Sequence, residues 1–418
     1  MRSILLCLLL ALVVALPLTA QDSAPPISAD LLAQLEIIET FVHNQRGLPA
    51  LEPIERRFPT RDEAVAHLRA VVEAELPPEA NRLTSDFYIA FDLLPPGSDY
   101  LALYLSLLGQ QVGGYYDTGT RAMNTLLLRG SAPGDSLPLL ERIVYAHEYV
   151  HALQDQHFGI EALQAAAGDD TDRSFAVLAL LEGDATVVMN AFTSALMERN
   201  PLGVGLALLL QGAQSGGLTF PPGTPPILER ELLAAYLDGA AFVGALYREG
   251  GWEAVNAAYT DLPQSSEHIL HPYTYMTLDL PQPVTLAAAD AGPGWEDIAE
   301  STLGEFYLRE YLRTQLTTTA AAGAAAGWGG DRYRLYRRAD DGALAWVLKI
   351  VWDTAADAAE FAEALAAFAA RRFDGAEPVS GCWVGSADAL CFDDSGGAAL
   401  LARAPTLDTA RALLAGQQ

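Results

Sequence analysis

Two histidines four residues apart, with a glutamate directly after the first, are the residues of this sequence best suited to chemistry. They are His147, Glu148 and His151. On a helix, residues four positions apart project from the same face, so both imidazoles can bind one metal ion. The glutamate between them can accept a proton from a metal-bound water. The spacing therefore predicts a catalytic Zn²⁺ site with its own general base.

A catalytic zinc site needs a third protein ligand and leaves its fourth position to water. Glu182 is the first candidate, because it stands in an apolar stretch where a carboxylate is costly to bury without a cation. His157 is the alternative, since it follows His147 by ten residues, the spacing of the third metzincin histidine. The metzincin pattern has glycine midway, whereas Gln154 stands there and favours a continuing helix.

The stretch from His147 to Phe158, together with Glu182-Gly183-Asp184-Ala185, resembles the gluzincin side of the zincin metallopeptidases. More narrowly, it is similar to exported bacterial proteins of that type, and segments 114–117, 250–252, 265–272 and 327–333 fit the same resemblance. The resemblance covers most of the mature chain. It implies that His147, His151 and Glu182 bind Zn²⁺ and that Glu148 is the general base in peptide hydrolysis.

The second metal-binding helix departs from the gluzincin pattern. Leu181 replaces the asparagine that gluzincins place before the glutamate, and Thr186 stands where they place an acidic residue. The residue that orients His147 therefore stays open among Asp184, Thr186 and Asp155.

Amide hydrolysis at such a site also needs a donor for the developing oxyanion. His271 and Tyr236 are the candidate catalytic residues for that role. A predicted β-hairpin, Gln111–Tyr116 with Asn124–Leu128, can hold an extended peptide at its edge by strand addition. The partner we expect is thus a peptide or protein substrate. The alternative is a non-catalytic envelope binding or scaffold protein that retains the zincin fold, although such a protein has no need for Glu148.

The periodicity of apolar residues predicts an α+β, mainly helical protein with a zincin-like catalytic domain, an edge β-hairpin and a small C-terminal α+β unit. Predicted helices cover about 31–46, 60–75, 100–108, 136–156, 174–198, 229–248 and 252–260. We expect N-terminal helices and the hairpin in 21–135, a helical zinc-binding region in 136–327, and the C-terminal unit in 328–418, with strands at 333–337 and 344–352 and a hairpin at 379–394.

The N-terminus has the layout of a secretory signal peptide over residues 1–20. Arg2 precedes the apolar run Ile4–Leu16, and Ala20 is the expected cleavage position. The alternative is an uncleaved membrane anchor, and we expect contact with a membrane only in that case. The predicted location is secreted or extracytoplasmic. In an oxidising compartment, Cys382 and Cys391 are expected to form a disulfide across a hairpin.

The net charge is strongly negative. The 418 residues include 25 Lys and Arg against 53 Asp and Glu, a formal charge of −28. Such a surface repels polyanions, so nucleic acid is not an expected partner.

Overall fold

The computed structural model describes residues 12–13, 27–127, 132–206, 220 and 222–417. The predicted signal peptide therefore lies outside the described residues, except for the two-residue strand Leu12–Val13.

The first two thirds of the chain are mainly helical. In chain order the elements are β1 (Leu12–Val13), α1 (Ala29–Arg46), β2 (Glu55–Arg57), α2 (Arg61–Glu75), α3 (Pro78–Ala90), α4 (Tyr100–Gln111), β3 (Gly114–Asp117), β4 (Ala122–Thr125), α5 (Leu139–Phe158), α6 (Ile160–Ala167), α7 (Thr171–Arg199), α8 (Pro226–Ala258), α9 (Ser266–Leu270) and α10 (Pro272–Met276).

The last third alternates strands and helices. Its elements are β5 (Trp295–Ser301), α11 (Gly304–Arg313), α12 (Thr318–Ala325), β6 (Trp328–Arg338), β7 (Leu344–Trp352), α13 (Ala355–Arg372), β8 (Cys382–Val384), β9 (Ala389–Asp393), β10 (Ala399–Ala404) and α14 (Leu407–Ala415). The mixed α/β class predicted from the sequence is thereby confirmed.

A small sheet of order β1-β3-β4-β2 lies beside helix α5. The predicted hairpin is present as the antiparallel pair β3 and β4, with shorter strands than expected. Strand β2 pairs parallel with β4, and β1 pairs parallel with β3 at Tyr116 and Asp117. This arrangement places strand β3 along the helix that carries the two histidines.

The second sheet has six antiparallel strands in the order β5-β6-β7-β10-β9-β8. It includes β5, so the sheet begins before residue 328, where the sequence placed the start of the C-terminal unit. Cys382 and Cys391 stand opposite each other on β8 and β9 and form the predicted disulfide.

Helices α7 and α8 pack unusually closely, because glycines face each other where they cross. A Cβ added to Gly183 would lie 2.2 Å from the backbone carbon of Gly239, and one added to Gly239 would lie 2.2 Å from the Ala179 carbonyl oxygen. Any larger residue would separate the helices. Helix α7 is long and apolar enough to span a membrane by length and composition, but 78% of its most apolar window is buried, so core packing accounts for its sequence.

Helix α8 contains a break that the sequence predicts as a boundary between two helices. Gly250 and Gly251 have non-helical backbone angles, and Gly251 adopts a φ of 65°, which favours glycine. Trp252 and Tyr259 follow the break, and the redirected segment brings both toward helices α1 and α5.

Candidate metal centre

Two helices bring His147, His151 and Glu182 together, as the sequence predicts. Helix α5 continues past His151 to Phe158. Gly159 then ends the helix in a left-handed conformation. The Nε2 atoms of His147 and His151 are 3.1 Å apart. The Oε2 atom of Glu182, from α7, lies 3.1 Å from the first and 3.6 Å from the second. Among the described residues this is the group of donors that can hold a metal ion.

The separations between these donors fit a tetrahedral zinc site. Ligands bound to zinc at about 2.0–2.1 Å with tetrahedral angles lie about 3.3 Å from one another. The three observed separations lie on either side of that value. Two imidazoles and one carboxylate are also a ligand set that zinc uses in catalytic sites. The residues present therefore fit the ion that their types predict.

Burial makes the cluster electrostatically costly without a cation. His147 is 4% exposed, and His151 and Glu182 are fully buried. Burial alone would raise the pKa of Glu182, but the two neighbouring imidazoles hold it well below the usual range. Burial lowers the pKa of His147. Burial alone would also lower the pKa of His151, but the Glu182 carboxylate raises this pKa to about 9.

Glu148 lies beside the cluster and under strand β3. The backbone N–H of Tyr116 donates to its carboxylate, while its Oε2 atom is buried without a hydrogen-bond partner in the described structure. Gly114 permits this approach, since a Cβ there would come within 3.1 Å of the Glu148 Cγ. Burial, reinforced by the charge of Glu182, raises the pKa of Glu148 to about 8.

Tyr236 contacts the cluster from helix α8. Its ring stacks on that of His147 with centroids 5.5 Å apart, and its hydroxyl interacts with the Glu182 carboxylate. Burial and the charges of Glu182 and Glu148 raise its pKa well above the usual range, so the hydroxyl keeps its proton. The close contact of α7 and α8 at their glycines brings this side chain to the donors.

The other two histidines considered in the sequence make contacts elsewhere. The Nε2 atom of His157 lies 2.7 Å from the Pro49 carbonyl oxygen, so it does not complete the ligand set as the metzincin alternative requires. His271 lies 3.0 Å from a carboxylate oxygen of Glu305 and is 43% exposed. Its described contacts do not include the three metal donors.

None of the three residues considered for orienting His147 forms a hydrogen bond with it in the described structure. Asp155 accepts a hydrogen bond from the Tyr116 hydroxyl, and the buried Thr186 hydroxyl has no described partner. Asp184 instead binds Arg46 and Gln154, and Gln154 contacts His151 at Nδ1. The His147 Nδ1 atom is buried without a hydrogen-bond partner among the described residues.

Sequence reasoning missed Gln154 and Arg46 as parts of this site. Gln154 follows His151 by three residues and therefore lies on the same side of helix α5, a signal that was available. Arg46 lies 138 residues before Asp184, and no local pattern links the two.

Comparison with known proteins covers only the C-terminal part of the chain. A family described as a domain of unknown function (DUF8575) matches residues 293–414, which correspond to the six-stranded sheet and its helices. No curated protein and no solved structure matches the chain. The matched region contains none of the three candidate metal donors.

Proposed function

We propose that this protein is an exported, zinc-dependent peptidase of gluzincin type with a zincin-like catalytic domain. The observation that carries the proposal is the convergence of His147, His151 and Glu182 at tetrahedral spacing, with the Glu148 carboxyl group beside them. When bound there, Zn²⁺ supplies Lewis-acid polarisation of the scissile carbonyl and acidifies its bound water.

Glu148 is the general base in this proposal. Its raised pKa means that it is largely protonated at neutral pH when the neighbouring charges are only those of the chain. A divalent cation beside it favours the carboxylate form, which can take a proton from the attacking water. The same carboxyl group then delivers a proton to the leaving amine. The Tyr116 N–H holds the carboxylate in position throughout.

Tyr236 is the better supported of the two predicted oxyanion donors. Its hydroxyl retains its proton and lies at the edge of the donor cluster, so it can donate to an oxygen that gains negative charge. The imidazole of His271 instead contacts the Glu305 carboxylate, so no described contact with the candidate metal donors supports His271 in this role.

An extended peptide is the substrate form that suits the neighbourhood of Glu148. Among the described residues, strand β3 pairs on its outer side with only Leu12–Val13. We propose that a substrate strand takes this place once the predicted signal peptide has been removed, which would lay its backbone along β3 and next to Glu148.

The test compares zinc content and peptide hydrolysis for the chain lacking residues 1–20 and for its Glu148→Gln variant. The variant should retain zinc, because Glu148 is not among the three donors, and should hydrolyse peptides about 10²- to 10⁴-fold more slowly. Hydrolysis is measured by mass spectrometry on a mixture of unmodified peptides. Glu253→Gln, an exposed position after the break in α8, is the matched control and should leave the rate unchanged.

A different result would favour the non-catalytic alternative. If the wild-type chain binds zinc but cleaves none of the peptides, or if Glu148→Gln cleaves them as fast as the wild type, the peptidase assignment is wrong. The metal would then have a structural role in a binding or scaffold protein.

A further inference from the structure

A buried polar network extends from His151 to the end of helix α1. Its members are Gln154 on α5, Asp184 on α7, Tyr259 directly after α8 and Arg46 at the end of α1. Gln154, Asp184 and Arg46 are fully buried, and Tyr259 is 5% exposed. A group of this kind costs free energy to bury unless its hydrogen bonds are satisfied together.

The surroundings of Gln154 determine which way its amide points. Its Nε2 atom lies 3.0 Å from the Leu181 carbonyl oxygen, 3.3 Å from Asp184 Oδ2 and 2.9 Å from the Tyr259 hydroxyl. The Leu181 carbonyl and the Asp184 carboxylate only accept hydrogen bonds, so the amide NH₂ must face them. The amide oxygen then faces His151 Nδ1, at 2.8 Å.

This orientation selects one form of His151. An amide oxygen only accepts, so the hydrogen on that side must belong to Nδ1 of the imidazole. With Nδ1 protonated, the lone pair available to a metal is on Nε2, which is the atom that faces His147 and Glu182.

Asp184 is held in turn by a cation and by a hydroxyl. The Arg46 Nε atom lies 2.7 Å from Oδ1 and 3.0 Å from Oδ2, and the Tyr259 hydroxyl donates to Oδ2 at 2.7 Å. The Arg46 guanidinium also lies over the ring of Trp252, 4.4 Å from its centroid. The break at Gly250 and Gly251 directs Trp252 and Tyr259 into this position.

We propose that Gln154 is a positioning residue, locked by Asp184 and Arg46, that keeps the proton of His151 on Nδ1 and directs Nε2 to the metal. The inference rests on the zinc binding included in the proposed function, but it does not depend on peptide hydrolysis. The metal-binding helix thus carries its own orienting residue one turn beyond the second histidine, and a separate helix keeps that residue in place.

The first measurement is zinc affinity, determined by competition with a chromophoric chelator. Gln154→Met has nearly the same length but lacks the amide, and it should weaken zinc binding about 10- to 100-fold. Gln164→Met, the same substitution on helix α6 outside the network, should bind zinc like the wild type.

The second measurement is the nitrogen-15 spectrum of the histidine rings in the zinc-loaded wild-type protein. His151 should show an Nδ1–H proton protected from exchange with water, and this proton should lose its protection in Gln154→Met. The wild-type spectrum decides the matter even if the variant does not fold, because His151 bound through Nδ1, or an unprotected Nδ1–H, overturns the proposal. Unchanged zinc affinity in a folded Gln154→Met protein overturns it as well.

These results separate the network from the peptidase activity. If the wild-type protein cleaves no peptide but the Gln154→Met variant binds zinc more weakly, the positioning role is supported and the proposed activity is contradicted. An active enzyme whose zinc affinity ignores Gln154 supports the activity and contradicts the positioning role.

Discussion

Glu182 and Glu231 are buried glutamates on the neighbouring helices α7 and α8, and they differ in the groups that surround them. Glu182 is fully buried beside two imidazoles. Glu231 is 2% exposed and accepts hydrogen bonds from the hydroxyls of Tyr88, at 2.7 Å, and of Tyr307. Burial raises the pKa of Glu231 to about 7 despite these bonds, whereas the imidazoles keep the pKa of Glu182 low.

The comparison shows that a buried carboxylate is not by itself evidence for a metal site. Both tyrosine hydroxyls donate to Oε1 of Glu231, and its buried Oε2 atom has no hydrogen-bond partner among the described residues, so a proton is the means by which this carboxyl group is neutralised. The imidazoles beside Glu182 have nitrogen lone pairs that can be directed at the same point as the carboxylate oxygen. The neighbours therefore decide whether a buried acid holds a proton or can share a cation.

The same substitution at both glutamates should produce the largest difference. Glu182→Gln should reduce zinc affinity at least about 100-fold, equivalent to about 2.7 kcal/mol, because it removes a charged ligand. Glu231→Gln should change zinc affinity less than about twofold. Chelator competition measures both, and equal zinc affinities for the two variants would contradict the ligand set.

The second largest effect is expected in the pH dependence of the free energy of unfolding, where the raised pKa of Glu231 should distinguish it from Glu182. The unfolded chain releases this proton near pH 4.5, whereas the folded protein holds it up to about pH 7. The raised pKa of Glu231 therefore adds to the free energy of unfolding. This stabilisation is fully present below about pH 4.5 and is lost as the pH rises from there through about 7.

Glu231→Gln removes this contribution, so the variant should lose less stability than the wild type across that pH interval. The free energy of unfolding is measured by urea denaturation of both proteins with a chelator present. Parallel curves for the two proteins would show that Glu231 is already ionised in the folded state at pH 5.

The smallest effect is expected from removing one hydroxyl beside Glu231. Tyr88→Phe leaves the buried carboxyl group with one tyrosine donor and should lower the free energy of unfolding by about 1–2 kcal/mol. Zinc affinity should not change, because Tyr88 contacts none of the metal donors. Tyr247→Phe, at a 43% exposed position, is the control. Equal stability of the two variants would mean that the Tyr88 hydroxyl contributes no net stabilisation.

Local sequence was sufficient for the elements that carry the site. The four-residue spacing of His147 and His151 placed both imidazoles on one helix face. Strand β5 was missed because it has few apolar residues and lies partly exposed at an edge of the sheet. Helix α11 was also missed, although its buried residues Phe306, Tyr307, Leu308, Tyr311 and Leu312 recur at helical spacing, a signal that was available.

The sequence by itself determined the chemical types of the donors and their order along the helices, since both follow from spacing over a few residues. Only the tertiary structure decided that Glu182 turns toward the imidazoles and that Gln154 joins His151 to Asp184 and Arg46. The contacts of Glu182 with His147, of Gln154 with Asp184 and of Asp184 with Arg46 span 35, 30 and 138 residues of chain. They depend on how closely helices approach, here on Gly183 against Gly239. Such distances are set by packing of whole helices, which no local pattern encodes.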